Sequence, residues 1–257
     1  MSRPLFHEVL AQPATSVLIL LCTFIWLKAR SAGVGYSELG LNYERCVKHK
    51  EIWRFFSAQF THVEPLHLLL NMSTLWSIGR TERSTSAVHA GLGDYFKNSL
   101  LLLYLVPMVC LSIYHFLINV MKKEQFAQVQ MVGYSGVLFG WLTILTQRGA
   151  SFSLMGMATL PMPMVPLGFL IFTYLIIPKS SLVGHLSGIL VGYLLASGAL
   201  DPLNLYWMLS ISAWMGIGVI WSLAHSGMLP ASWIKLHGEG DVETGPGPRI
   251  QNGILQR

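Results

Sequence analysis

Residues 132–140 read VGYSGVLFG and begin an apolar run that continues to about Thr146. Ser135 stands between small residues at the start of this run, and no charged residue interrupts the run. A second stretch, residues 184–192, reads GHLSGILVG and carries His185 near the start of another apolar run. A serine hydroxyl is a weak nucleophile until an adjacent base accepts its proton. The two stretches therefore indicate a nucleophile and a base that the fold must bring together.

The composition indicates a membrane protein. Of the 257 residues, 53% are hydrophobic and 11% are charged, whereas a soluble domain carries about 25% charged residues. The mean hydropathy is +0.52. The net charge of +5 could suggest a nucleic acid partner, but the basic residues lie between the apolar runs. Lysine and arginine anchor membrane proteins at such positions, so we predict a lipid bilayer as the surroundings and no nucleic acid partner.

Seven apolar runs predict membrane-spanning helices. Backbone groups must be hydrogen-bonded inside a bilayer, which excludes open strands, and the runs are too long for barrel strands. The predicted fold class is all-α, a polytopic membrane helix bundle over residues 1–229. The polar, Gly- and Pro-rich residues 230–257 are predicted to be a disordered tail. The runs cover about residues 15–27, 66–79, 100–120, 131–146, 165–177, 182–200 and 205–224.

Two connections between these runs are expected to be loops. Residues 31–65 mix aromatic side chains with charges, a composition that favours the membrane interface. The segment after the fourth run carries Pro161, Pro163 and Pro166. Prolines at this density restrict the backbone and are poor helix interior, so we expect a loop there.

The sequence predicts no metal site and no cofactor. The three cysteines, Cys22, Cys46 and Cys110, lack the spacing of metal ligands, and two of them fall within apolar runs. No nucleotide-binding fingerprint occurs in the chain.

Small residues predict close contact between the fourth and sixth runs. Each run carries a stripe of them on one helix face: Ser135, Gly136 and Gly140 on the fourth, and Gly188 and Gly192 after His185 on the sixth. Such stripes let two helix backbones approach closely, which would bring the serine hydroxyl within reach of the imidazole. Phe139 lies one turn beyond Ser135 on the same face and could pack against the histidine ring.

The second run contains two polar residues, His67 and Asn71, which are four apart and therefore share a helix face. In lipid both side chains would lack partners, so this face should point into the bundle. The spacing alone leaves two interpretations open. The pair could take part in chemistry, or it could supply hydrogen bonds that hold helices together.

Other interpretations of the serine and histidine also remain open. Ser135 could fill space and bond a carbonyl one turn back, and His185 could belong to a proton relay. A soluble nucleophile elbow is excluded, because that motif needs a strand before it and a glycine at position 137, which is valine. A small transporter would require two matching halves with broken helices, which the sequence does not display.

The motifs taken together resemble the rhomboid intramembrane serine proteases. The G-x-S-G motif of that family is met by residues 133–136, and its catalytic histidine followed by glycines is met by His185 and Gly188. The family's W-R motif is met at Trp53-Arg54, and its H-x-x-x-x-H-L-x-x-N-M segment at residues 62–72. The motifs occur in the expected order over roughly residues 50–195, and residues 35–37 are similar to plant rhomboid-like proteins.

This resemblance implies a rhomboid-like bundle of six core spans plus a C-terminal seventh. It implies that Ser135 is the nucleophile and that His185 is the general base and then the acid, with no triad aspartate. His67, Asn71 and the backbone N–H of Ser135 would donate hydrogen bonds to the oxyanion. The residues implied to pack around the active site are Gly133, Gly136, Phe139 and Gly188.

The implied activity is cleavage of transmembrane segments of single-span membrane proteins, within a eukaryotic endomembrane or organelle membrane. The oligomeric state stays open. The alternative is a non-proteolytic rhomboid-like scaffold that binds membrane protein clients. Scaffolds of that kind lack the catalytic serine or histidine, whereas Ser135 and His185 are both present here.

Overall fold

The computed structural model describes residues 5–83, 92–147, 151–154, 158–177 and 180–229, and these residues form a helical bundle with one short hairpin. The tail predicted at 230–257 lies outside the described residues. The helices are α1 Leu5–Ala11, α2 Pro13–Ser31, α3 Tyr36–Leu39, α4 Tyr43–Val47, α5 Arg54–Phe60, α6 Pro65–Ile78, α7 Leu92–His115, α8 Ser135–Thr146, α9 Val165–Ile176, α10 Leu182–Ala196 and α11 Leu205–His225.

Each apolar run of the sequence coincides with a helix, namely α2 and α6 to α11. The prediction of a helical membrane bundle is therefore confirmed. Within the part of the chain that the structure describes, three helical segments are long and apolar enough to cross a membrane. They are Pro13–Ser31, Leu92–Val120, in which a π-helical turn extends α7, and Tyr206–His225. Helices α8, α9 and α10 are shorter and strongly apolar.

The two expected loops contain more regular structure than predicted. Residues 31–65 include the short helices α3, α4 and α5. The segment after α8 forms an antiparallel hairpin of β1 (Ser151–Leu154) and β2 (Ala158–Pro161), in which Ser151 pairs with Pro161. Proline lacks an N–H and is tolerated at such a strand end. Pro166 lies in the first turn of α9, where proline starts a helix without losing a helical hydrogen bond.

Helices α8 and α10 lie in backbone contact along their glycine stripes. A Cβ atom built on Gly136 would lie 3.2 Å from the carbonyl oxygen of Gly184, and one built on Gly140 would lie 3.2 Å from that of Gly188. A Cβ atom built on Gly188 would overlap the carbonyl oxygen of Gly136. Glycine is therefore required at position 188, because an added Cβ atom there would meet only backbone of the opposite helix, whereas at Gly136 and Gly140 it would also meet the side chains of Val106 and Leu102 from α7.

A buried carboxylate, that of Glu82, holds the start of α2. The carboxylate of Glu82 accepts hydrogen bonds from the N–H groups of Ala14 (3.0 Å) and Thr15 (2.7 Å) at the start of α2. These donors have no acceptor within the helix, and the negative charge also interacts favourably with the helix N-terminus. Glu82 therefore fixes the beginning of the first long helix against the end of α6.

A buried ion pair organises the connection between α2 and α6. Arg54 is 2% exposed, donates from Nε to Glu51 at 2.5 Å, and donates from Nη1 to the carbonyl oxygens of Ser37 (3.1 Å) and Gly40 (2.8 Å). The next residue, Leu41, pairs through its backbone with Met131, with N···O distances of 2.8 and 3.0 Å. The connection is thereby attached to the segment that leads into α8.

Replacing Gly188 with alanine should destabilise the bundle, because the added methyl group meets backbone at Gly136. Overpacking of this kind typically lowers the free energy of unfolding by about 1–3 kcal/mol. Thermal unfolding of the purified variant in detergent would measure the loss. The matched control is Gly216→Ala in α11, where an added Cβ atom meets nothing within 4 Å and alanine is the better helix former. Equal melting temperatures for the two variants would contradict the proposed backbone contact.

Candidate active site

Ser135 is the first residue of α8 and follows a sharp turn of the chain. The turn is made at Gly133, whose φ of +116° is one that side chains rarely allow. The N–H of Gly133 donates to the carbonyl oxygen of Ala58 at 2.8 Å, which ties the turn to α5. Ser135 is partly exposed, and its own N–H lies at a helix N-terminus, where it has no acceptor within the helix.

His185 lies in the first turn of α10 and is 4% exposed. Its Nε2 atom is 2.8 Å from the hydroxyl oxygen of Ser135, which is hydrogen-bond distance. Its ring stacks on Phe139, with 4.3 Å between ring centroids and 23° between ring planes. The hydroxyl of Ser181 caps α10 by accepting from the N–H of Gly184 at 3.0 Å. These contacts bring the predicted nucleophile and base together and fix the orientation of the imidazole.

The His67 and Asn71 side chains lie beside the turn that precedes Ser135. A Cβ atom built on Gly133 would lie 2.7 Å from Nε2 of His67 and 3.5 Å from Nδ2 of Asn71. Both side chains thus face the start of α8, on the inner side of α6, with Asn71 buried and His67 partly buried. Gly133 leaves the room that these two side chains occupy.

A small, partly open cavity of about 40 Å³ lies next to Ser135. Gly133, Ser135, Gly136 and His185 line it on one side. Its other walls are largely apolar and include Leu41, Ala58, Val106, Cys110 and Met131. Within the described ranges no group of three or more His, Cys, Asp or Glu side chains is arranged to hold a metal ion. The cavity has room for water beside the serine.

Two residues near the site were not assigned to it from the sequence. Ser181 caps the helix of His185, and Met131 accepts from the hydroxyls of Ser181 (2.7 Å) and Tyr114 (3.3 Å). His62, the first residue of the motif at residues 62–72, contacts Asn71. A serine just before an apolar run is a recognisable helix N-cap and could have been found. The contacts of His62 and Met131 depend on tertiary structure, because both residues lie outside the helices.

The bundle of apolar helices defines an integral membrane protein of the helical class, and the contact of Ser135 with His185 marks its candidate site. The chain belongs to the rhomboid family: residues 49–202 match the Rhomboid domain. This range includes every side chain that the preceding paragraphs assign to the site except Leu41 of the cavity wall. The resemblance inferred from the sequence motifs is therefore confirmed at the level of the family.

Several characterised relatives are similar to most of the chain. It is 28% identical to the Rhomboid-like protein 14, mitochondrial, of Arabidopsis thaliana, over 91% of this chain and 70% of that protein. It is 28% identical to the Rhomboid-related protein 4 of Homo sapiens, over 77% of this chain and 62% of that protein. It is 27% identical to the Rhomboid-type serine protease 2 of Yarrowia lipolytica, over 60% of this chain and 49% of that protein. The expected similarity to plant rhomboid-like proteins is confirmed by the first of these.

The hydrogen bond between Ser135 and His185 should make the serine hydroxyl chemically reactive, because only an activated hydroxyl reacts quickly with electrophiles. A small serine-directed fluorophosphonate should label the wild-type protein at Ser135, and His185→Ala should lose most of this labelling. Mass spectrometry of the labelled peptide would identify the site. Ser222 is a suitable internal control, because it is fully buried and its hydroxyl donates to the carbonyl oxygen of Lys50. Equal labelling of wild type and His185→Ala would contradict activation by the histidine.

Proposed function

We propose that this protein is an intramembrane serine protease that cleaves transmembrane segments of membrane proteins with a Ser135–His185 dyad. The observation that carries the proposal is the 2.8 Å contact between the Ser135 hydroxyl and Nε2 of His185. Membership of the rhomboid family supports intramembrane serine protease activity in general. One relative is named a rhomboid-type serine protease. The non-proteolytic scaffold is less well supported, because such proteins have no use for a serine bonded to a buried histidine.

The dyad can perform both halves of peptide hydrolysis. The Ser135 oxygen attacks the carbonyl carbon of the scissile bond while His185 accepts the hydroxyl proton. The resulting tetrahedral intermediate collapses when His185 gives this proton to the leaving amine, which leaves an acyl group on Ser135. A water molecule then attacks the acyl carbon, His185 takes its proton, and the proton returns to the serine oxygen as the acid is released.

The oxyanion of each tetrahedral intermediate would be stabilised by donors around the start of α8. The Ser135 N–H is free of helical acceptors, and the positive end of the α8 dipole lies at the same point. His67 and Asn71 face Gly133 two residues earlier and can add side-chain donors. Donors of this kind are already oriented towards the developing charge and need no reorganisation during the reaction. Each of them is therefore typically worth roughly 10²–10³-fold in turnover.

The substrates are proposed to be single-span membrane proteins. A peptide bond inside a stable helix is shielded by its own backbone, so the substrate segment must unwind before it reaches Ser135. Glycine or proline near the cleaved bond should favour this step, because both weaken a helix. The partly exposed Ser135 and the open cavity beside it allow water to reach the acyl intermediate.

The membrane is proposed to belong to a eukaryotic organelle or to the endomembrane system. The similarity to a plant protein named as mitochondrial supports an organelle membrane. Co-fractionation of the full chain with organelle markers would test this. Recovery only with plasma membrane markers would contradict it.

Replacing either member of the dyad should abolish cleavage of a model single-span substrate. Neither residue performs the chemistry alone, so the Ser135→Ala, His185→Ala double variant should be scarcely less active than either single variant. Cleavage would be measured with purified protein and substrate reconstituted in liposomes. Thermal unfolding should change little in the two single variants, because alanine preserves the close approach of α8 and α10.

A suitable control is Ser187→Ala, which removes another buried serine of α10 that donates to the carbonyl oxygen of Val183. It should retain most of the activity. Cleavage at the wild-type rate by purified Ser135→Ala would refute the proposed mechanism and favour the scaffold.

Removing the Asn71 amide should lower the turnover number by roughly 10²–10³-fold, as expected for the loss of an oxyanion donor. Asn71→Ala should still insert into membranes and keep its KM within a few-fold of wild type, because the donor acts mainly on the transition state. Single-turnover kinetics in liposomes would separate these quantities. A variant that unfolds in mild detergent would instead favour the interpretation of Asn71 as a structural hydrogen bond.

A further inference from the structure

We propose that His62 is a positioning residue that holds the Asn71 amide in the orientation needed for an oxyanion donor. The inference rests on the proposed protease function and extends it to a residue that does not touch the reacting atoms. His62 is 1% exposed and lies in the connection between α5 and α6. Its Nε2 atom is 2.9 Å from Nδ2 of Asn71, so the imidazole directly contacts the proposed donor.

A backbone contact identifies which partner donates in this pair. Nε2 of His62 is also 3.4 Å from the backbone nitrogen of Tyr134, whose N–H can only donate. Nε2 must therefore be an acceptor, and the neutral ring carries its proton on Nδ1. An acceptor at Nε2 requires Asn71 to present its NH₂ group to the ring. The contact with Tyr134 thus fixes the amide orientation of Asn71.

This orientation has a direct consequence for the site. The amide NH₂ group has two N–H bonds, of which one is used by His62 and one remains available. A Cβ atom built on Gly133 would lie 3.5 Å from Nδ2 of Asn71, so this nitrogen faces the turn before Ser135. In the flipped orientation the amide oxygen would lie there instead. An oxygen at that point would repel the oxyanion rather than stabilise it.

His62 also contacts the second proposed donor. Its ring meets the ring of His67 edge to face, with 5.1 Å between centroids and 63° between planes. The imidazole of His62 therefore hydrogen-bonds Asn71 and the chain just before Ser135, whereas with His67 it makes a ring contact. A single buried ring links α6 to the beginning of α8 at the level of the site.

Removing the ring should reduce turnover more than substrate binding. In His62→Ala the Asn71 amide loses its fixed partner and can adopt both orientations, so the donor is present for only part of the time. The turnover number should fall by about tenfold or more, but less than the roughly 10²–10³-fold expected for removal of a donor. KM should stay within a few-fold of wild type, because the residues that line the cavity beside Ser135 are unchanged.

The decisive measurement is a double-mutant cycle on cleavage in liposomes, with kcat and KM determined for each protein. If His62 acts through Asn71, adding His62→Ala to Asn71→Ala should lower kcat by less than threefold, although His62→Ala alone lowers it by about tenfold or more. His62→Gln should recover most of the lost activity, because its amide oxygen can accept from Asn71 as Nε2 does. This variant also serves if His62→Ala fails to fold.

The matched control is Ser99→Ala. This change removes a buried acceptor on α7, to which the indole N–H of Trp141 on α8 donates, and neither residue belongs to the candidate site. It should lower thermal stability while kcat stays near wild type. An unchanged kcat in His62→Ala, or full additivity of this change with Asn71→Ala, would overturn the assignment of His62. The protease proposal would still stand if the wild-type protein shows cleavage that depends on Ser135. Absence of Ser135-dependent cleavage by the wild-type protein would overturn both.

Discussion

The backbone contact between α8 and α10 is the constraint on which the site depends. Lipid tails are as apolar as leucine, so helices in a bilayer gain little from hydrophobic burial and associate through close packing. The glycines at this crossing allow the carbonyl oxygen of Gly136 to approach Gly188 without an intervening side chain. Ser135 and His185 stand at the same end of these two helices, so the contact that joins the helices also determines the 2.8 Å distance between the side chains.

The connection between α2 and α6 determines how the start of α8 is held. Arg54 and Glu51 form a buried pair whose guanidinium also bonds two backbone carbonyls of the preceding connection. Removal of one partner from such a pair typically destabilises a protein by about 3–5 kcal/mol, because the remaining charge is buried without compensation. The pairing of Leu41 with Met131 extends this support to the chain four residues before Ser135. Helix α8 is thereby supported both by α10 and by the connection.

The sequence was sufficient for the helices and for the residue pair, but less so for the connections. Apolar runs report directly on spanning helices, since a bilayer imposes both length and composition. The glycine stripes follow from helical periodicity, so the sequence alone predicts the contact between α8 and α10. The hairpin at 151–161 was missed because prolines suggested only a loop. The motif at residues 62–72 contains both His62 and Asn71, but the contact of His62 with Tyr134, 72 positions away, depends on tertiary structure and no local pattern encodes it.

The site orients its polar groups without a buried carboxylate next to the histidine. Among the described residues Nδ1 of His185 has no hydrogen-bond partner, while the ring is held by its stack on Phe139 and by Ser135. An ionised side chain at this depth would be expensive to bury, and a neutral ring contact avoids that penalty. The contact of His62 with Asn71 follows the same logic, because a neutral imidazole supplies an acceptor where a carboxylate would bring a charge. Neutral contacts on both sides of Ser135 are therefore a coherent solution for a polar site inside a bilayer.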